Sequence, residues 1–277
     1  MSEQSSRRPA GAVASLEDRP LSAPAARGFK DRRDAGRQLA VLLEPWRVER
    51  PVVVGIPRGG VPVAAEVARA LDAPLDVTVV RKIGAPQNPE YAIGALAEGG
   101  VHVLSGPIAR AVGLTEARLR ALLIRVEREL EDRLRRYRGA RAPIDLSGRT
   151  VILVDDGLAT GRSARAAVRS LRRRGAARVI LAVPVAAPAA ADALRAEADD
   201  VVCVATPDDL WSVGQWYADF APTADEEVMA LLAERPQAAP QRPERSDSGQ
   251  ELAIPLDADV TLSGELSVPM RARGIVV

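Results

Sequence analysis

A single cysteine, Cys203, is the whole thiol content of this 277-residue chain. No disulfide frame can form from it, and a reducing compartment is expected. Histidine also occurs once, at His102, which leaves no His/Cys cluster for a metal. His102 stands beside a pair of glycines and reads as a surface residue, and Cys203, between Val202 and Val204, reads as core. Aromatic residues make up only 3%, so each one is informative. An excess of one charge is missing too. Lys and Arg number 38 against 37 Asp and Glu, which removes bulk attraction to nucleic acid or to a membrane surface. There is no apolar run of 18 residues and no apolar stretch near Met1 of the kind a secretory signal needs. The expectation is a soluble cytoplasmic protein with no nucleic acid and no membrane among its partners. Lysine is scarce as well. Only Lys30 and Lys82 occur, and arginine supplies the other 36 positive charges.

What is present is an alternation. Pro51 to Ile56, Leu75 to Arg81, Val151 to Val154, Arg178 to Val183 and Asp200 to Val204 are short runs rich in branched apolar residues, which read as strands. Between them lie helical patterns at Val61 to Leu71, Thr115 to Tyr137, Gly161 to Arg174 and Ala189 to Ala198, and Asp31 to Leu43 precedes them. Tyr91 to Leu96 and Val101 to Leu104 look like a hairpin around Glu98-Gly99-Gly100, with a polar turn from Gly84 to Glu90 before it. Strands alternating with helices predict an α/β fold, a parallel sheet flanked by helices. Ligands of such sheets sit beyond the carboxyl ends of the strands, so the loops after Ile56, Arg81, Val154 and Val204 are expected to line one site. Residues 1–28 are Ser, Arg, Ala and Pro without period and are expected to be disordered. The main domain is expected over 29–232 and a Pro/Arg/Ser-rich linker over 233–250. A short β-rich tail follows over 251–277, with strand-like runs at Leu252 to Pro255, Val260 to Val268 and Gly274 to Val277.

The chain is organised around Val151-Ile152-Leu153-Val154-Asp155-Asp156-Gly157-Leu158-Ala159-Thr160-Gly161-Arg162-Ser163. A strand buried on both faces ends in two carboxylates, and a turn of small residues with hydroxyls at Thr160 and Ser163 leads into a helix. Backbone N–H groups of such a loop and the helix start suit a phosphate. Two adjacent acids repel and need a partner; a sugar diol is one. There is no Gly-Lys-Ser/Thr and no GxGxxG at this turn. A second Gly-rich turn, Ile56-Pro57-Arg58-Gly59-Gly60, follows the first strand. Its glycines admit close approach of an anion and Arg58 adds a bidentate donor. Lys82, one of two lysines in an arginine-dominated chain, suggests a place where a compact point charge is wanted.

Val151 to Ser163 resembles the phosphoribosyl-diphosphate (PRPP) motif of type I phosphoribosyltransferases, and the resemblance covers about Phe29 to Leu232. It implies the type I phosphoribosyltransferase fold and a transfer of ribose 5-phosphate from PRPP to a nitrogenous base with loss of diphosphate. It implies that Asp155 and Asp156 hold the ribose 2- and 3-hydroxyls, and that Gly157, Leu158, Ala159, Thr160, Gly161, Arg162 and Ser163 wrap the 5-phosphate. Pro57, Arg58, Gly59 and Gly60 match the diphosphate loop, with Lys82 assigned to the leaving diphosphate. Mg²⁺ is the implied cofactor, touching Asp155 and Asp156 mostly through PRPP and water. PRPP and a nucleobase-like substrate are the implied partners, with a homodimer as an option. Where some purine-using members carry an acid before the motif's threonine, this chain has Ala159, so no general base is named. Val213 to Phe220 loosely matches the stretch around the base in purine-handling relatives, making Trp211, Trp216, Tyr217 and Asp219 candidate base contacts. Arg128, Arg135, Arg136 and Tyr137 fall where this family often carries a lid; here they read as a helix with Glu/Arg pairs along it. The competing reading is a non-catalytic sensor of PRPP or nucleotide on the same fold. The tail from Ile254 to Val277 resembles the opening strands of a dienelactone-hydrolase-type α/β hydrolase, yet no Gly-x-Ser-x-Gly occurs, so hydrolase chemistry is not expected.

Overall fold

The computed structural model describes residues 28–85, 88–105, 114–234, 250–257 and 260–266. The expected disordered start and the linker fall almost entirely outside the described residues, as does Gly274 to Val277.

Five parallel strands form the central sheet: β1 (Val52–Gly55), β2 (Leu75–Val77), β6 (Thr150–Val154), β7 (Arg178–Val185) and β8 (Asp200–Ala205), in the order β2-β1-β6-β7-β8. Their side chains alternate between two cores. Val52, Val54, Val151, Leu153, Val179 and Leu181 face α4 (Arg162–Arg173) and α5 (Pro188–Arg195) through Val168, Leu171 and Leu194. Val53, Ile152, Val154, Ile180 and Ala182 face α1 (Arg32–Leu43) and α2 (Gly60–Leu71) through Leu39, Leu43 and Val67. Both faces are covered, which is why these strands read as unbroken apolar runs rather than alternating ones. Asp31 caps α1 by accepting the Asp34 N–H at 2.7 Å. Cys203 is buried on the edge strand β8, and burial pushes its thiol up to about 12.

The run Leu75 to Arg81, expected to be one strand, is two. The chain leaves the central sheet after Val77 and enters β3 (Val80–Ala85), which joins β4 (Asn88–Ala97) and β5 (Val101–Leu104) in a separate antiparallel sheet. The expected polar turn is therefore shorter, since Gly84 and Ala85 belong to β3 and Asn88 to Glu90 to β4. Period-two patterning cannot show a change of sheet inside one apolar run. The long helix, α3 (Glu116–Arg138), is capped by Thr115 and stopped at Gly139, which has φ 56. It packs on this sheet through Leu122, Val126, Leu130 and Tyr137. A further helix, α6 (Asp225–Ala233), was not expected; it closes the same core with Val228, Leu231 and Leu232.

The small sheet is also joined to the large one by charge. Arg138 on α3 donates to Asp76 of β2 at 3.1 Å and to Glu98, at the β4–β5 turn, at 2.6 Å. Arg174, after α4, donates to Glu98 at 3.0 Å. Asp76 and Arg138 are only 7% and 10% exposed at their side chains. Four ionised groups from four elements neutralise one another there, an arrangement that tolerates burial only when each is paired.

In the tail, β9 (Gln250–Asp257) and β10 (Val260–Leu266) pair as an antiparallel hairpin, with a register shift between Val260 and Thr261. No helix among the described residues is long and apolar enough to cross a membrane.

Candidate active site

The carboxyl ends of β1 and β6 lie side by side, Gly55 paired with Val154. The Pro57–Gly60 turn therefore leaves the sheet next to Asp155 and Asp156. The fit is tight. A side chain at Gly59 would fall inside the Asp156 carboxylate, and one at Gly60 would come within 2.7 Å of the Val154 carbonyl oxygen and 2.8 Å of the Asp155 backbone. These glycines are required first by the acid pair packed against them, before any anion is considered. The Pro57–Arg58 peptide is cis.

The two acids differ. Asp155 accepts the Asp156 N–H at 2.9 Å. Burial, then the neighbouring Asp156 charge, pushes its carboxyl well above the usual range. Asp156 is also raised, again by burial, but Arg32 opposes the shift. The Arg32 Nε lies 2.9 Å from Asp156 Oδ2, with side chains 11% and 17% exposed. Arg32 also donates to the Ala221 carbonyl at 2.8 Å and lies 3.9 Å from the Phe220 ring centroid, a cation–π distance. The partner that a carboxylate pair must have is thus an arginine at the start of α1. Sequence reasoning missed it, because nothing local marks a residue 124 positions away from Asp156.

Beyond the acids the loop is anchored at Leu158, which is buried, donates its N–H to Val185 at 2.8 Å and accepts from Ala187 at 2.8 Å. This pins the loop to the end of β7 and leaves Ala159 and Thr160 exposed. Gly161 has φ 71, which favours glycine, and opens α4 with no side-chain cap. The first N–H groups of α4 therefore lack the usual side-chain acceptor. Ser163 is half-buried and Arg162 exposed on that first turn. A Cβ at Gly157 would strike Val213, so the loop after β8 closes directly on the motif.

Arg58 is exposed and reaches toward Asp225 at the head of α6, 3.9 Å away. Lys82 is exposed in the middle of β3, not in a loop at a parallel strand end as expected. It pairs opposite Ala95, and Val80, Ala95 and Ala97 on that face pack with Ala166 of α4. The lysine therefore stands on the side of the small sheet turned to the helix that follows the phosphate-type loop. Arg162 donates to the Ala92 carbonyl at 3.4 Å, joining the head of that helix to β4.

The aromatic stretch divides. Tyr217 is buried between Phe29 and Phe220, with ring centroids at 5.3 and 5.0 Å, and its hydroxyl donates to the Asp156 carbonyl at 2.5 Å. Its faces are taken, so it supports the motif from beneath instead of offering a stacking surface. Burial raises its hydroxyl pKa, which keeps it a donor. Asp219 is tied to the Ala221 N–H at 2.9 Å, and its own N–H donates to the Lys30 carbonyl, a turn role. Trp216 is half-buried, and Trp211 is 89% exposed.

The arrangement is a pair of carboxylates at a strand end, flanked by two small-residue turns, the second of which leads into a helix start with no side-chain cap. It suits a polyhydroxylated ligand carrying anionic groups at both ends. A family model for the phosphoribosyl transferase domain matches residues 38–220. The chain belongs to that family. It is 45% identical over 258 residues to a protein of Mycobacterium tuberculosis (strain ATCC 25618 / H37Rv) named "Putative phosphoribosyl transferase", a match taking in 90% of this chain and 57% of the relative. The chain thus spans little more than half the length of that curated relative. The crystal structure of TT1426 from Thermus thermophilus is 47% identical, with a TM-score of 0.65, and covers 75% of this chain and 98% of that one. Over 61 residues, 22% of this chain and 29% of the relative, this chain is 46% identical to a uracil phosphoribosyltransferase of Caulobacter vibrioides (strain NA1000 / CB15N). None of these relatives is described as a hydrolase, and the resemblance of the tail to that class gains no support from them.

Proposed function

We propose that the chain is a Mg²⁺-dependent phosphoribosyltransferase that moves ribose 5-phosphate from PRPP to a nitrogenous base and releases diphosphate. The observation that carries this reading is one juxtaposition: the Asp155–Asp156 pair lies between the Gly59–Gly60 turn, packed onto it, and the uncapped start of α4.

In this reading Asp155 and Asp156 accept hydrogen bonds from the ribose 2- and 3-hydroxyls. The first N–H groups of α4, with Thr160 and Ser163, donate to the 5-phosphate. Holding the sugar at both ends fixes the anomeric carbon against the incoming nitrogen. Arg58, the turn at Gly59–Gly60 and Lys82 meet the negative charge that grows on the departing diphosphate. Carboxylate oxygens at a strand end suit a hard divalent cation, and the only hydrogen bond to the Asp155 carboxylate from a described residue is that of the Asp156 N–H. Asp155 and Asp156 are the residues that would stand beside a bound Mg²⁺, and the ion would supply charge neutralisation for the leaving group. The base enters from the side of residues 211–220, where Trp211 and Trp216 keep accessible surface. The base itself is left unassigned, since the relative named uracil phosphoribosyltransferase matches over 61 residues only. The proposal extends to a cytoplasmic location and a homodimer.

The test is an assay with radiolabelled PRPP and Mg²⁺ against a panel of purine and pyrimidine bases. The expected result is nucleotide formation and diphosphate release that depend on one base. Tight PRPP binding with no turnover on any base would replace the enzyme by the PRPP sensor.

A further inference from the structure

Between the diphosphate-type turn and α3 stands one carboxylate surrounded by positive charge. Asp225 begins α6, and its side chain is 14% exposed. The Tyr137 hydroxyl donates to its Oδ1 at 2.7 Å, and the Arg136 guanidinium lies 2.9 Å from its Oδ2. Tyr137 is fully buried, and burial followed by the contact to Asp225 pushes its hydroxyl up to about 12, so it remains a donor. The Asp225 carboxyl lies below its usual range, first through Tyr137 and then through Arg136, Arg133 and Arg58. Two firm partners from α3 thus fix the carboxylate. The third, Arg58, is the loosest at 3.9 Å, is 45% exposed, and belongs to the turn that meets diphosphate in the function proposed above.

We propose that Asp225 is a positioning residue that competes with diphosphate for the Arg58 guanidinium. Asp225 is immobilised and anionic, and Arg58 is a long arm with one weak ion pair among the described residues. An anion on the Pro57–Gly60 turn draws the arm over, and Asp225 takes it back as diphosphate leaves. The carboxylate therefore weakens diphosphate binding and favours its release, and α3 and α6 set the strength of that competition through Tyr137 and Arg136. This inference rests on the reading of the turn as a diphosphate site.

The test is calorimetric titration of the full chain with inorganic diphosphate and Mg²⁺. Asp225→Asn should bind diphosphate more tightly, by about two- to fivefold, the scale of an exposed ion pair. Asp225→Glu should return the affinity to that of the parent chain. In an Arg58→Gln background the Asn substitution should have no such effect, since a coupled pair is not additive. Asp225→Ser takes the place of the Asn variant if that variant does not fold. Unchanged or weaker affinity in Asp225→Asn overturns the role of Asp225 while leaving the diphosphate site intact. A gain that persists without Arg58 overturns it as well, because the carboxylate would then act by direct repulsion. If the parent chain binds neither diphosphate nor PRPP, the functional reading falls and this inference falls with it.

Discussion

The two halves of the proposed site are held in place by opposite means. Asp155, Asp156 and their glycine turns issue from strands buried on both faces, and what fixes them is mostly backbone packing and apolar burial, with a single ion pair, Arg32–Asp156, added. The small sheet that carries Lys82 rests on apolar layers too, against α3 and against Ala166 of α4, but to these it adds the Asp76–Glu98–Arg138–Arg174 network. The lesson is that one half owes its geometry chiefly to the core, and the other to apolar packing joined with charges matched among four separate elements. The first should withstand salt, and the second should depend on every member of its network.

The sharpest way to break the comparison is Arg138→Met. It leaves Asp76 and Glu98 facing each other with Arg174 alone, and should cost roughly 3–5 kcal/mol in urea unfolding. A loss below about 1 kcal/mol, the scale of an exposed pair, would mean the small sheet is held by apolar packing after all. On the other half, Asp156→Asn should keep the fold and lose charge-assisted bonds of about 1.5–3 kcal/mol in PRPP affinity. Calorimetry with PRPP and Mg²⁺ reads this directly, and an unchanged affinity removes the ribose role.

Asp155→Asn sharpens the difference between the acids. The Asp155 carboxyl is raised in the folded chain, so the folded state holds its proton more firmly than the unfolded state does. Its ionisation therefore works against folding as pH climbs above the ordinary carboxylate range. The Asn variant should melt higher than the parent at pH 8, show no gain at pH 4, and bind PRPP more weakly. Equal melting curves at pH 8 would mean that Asp155 is not strained by its surroundings.

A smaller effect is expected at Lys82→Arg: on the order of tenfold in kcat with PRPP affinity nearly kept, because arginine preserves charge but not a compact head. If kcat is untouched, the exposed lysine is incidental. The smallest effect belongs to the tail. A chain ending near Ala239 should fold and bind PRPP as the full chain does; loss of either would make β9 and β10 part of the catalytic unit.

The central sheet was legible because burial on both faces writes itself as runs such as Val151 to Val154, and the motif because acids, small residues and hydroxyls follow in fixed order. What the sequence hid shares one cause. Arg32, the split at Thr78–Val79, the Asp225 cluster and the placing of Tyr217 beneath Asp156 all depend on residues distant in the chain. Local pattern reports which face of an element is apolar, not which remote side chain will answer a charge. Helix α6 is hidden by its length: nine residues hold little more than two turns of apolar spacing, and they stand directly before the Pro/Arg/Ser-rich stretch.

Cys203 has a use that follows from its place. It is the sole thiol in the sequence, buried on the strand at one edge of the sheet, with a pKa of about 12. An alkylating reagent at neutral pH has almost no thiolate to attack while that strand is docked. Each labelled molecule therefore records one opening of β8. The rate of mass gain under native conditions is a stopwatch for edge-strand detachment, read without introducing any probe into the protein.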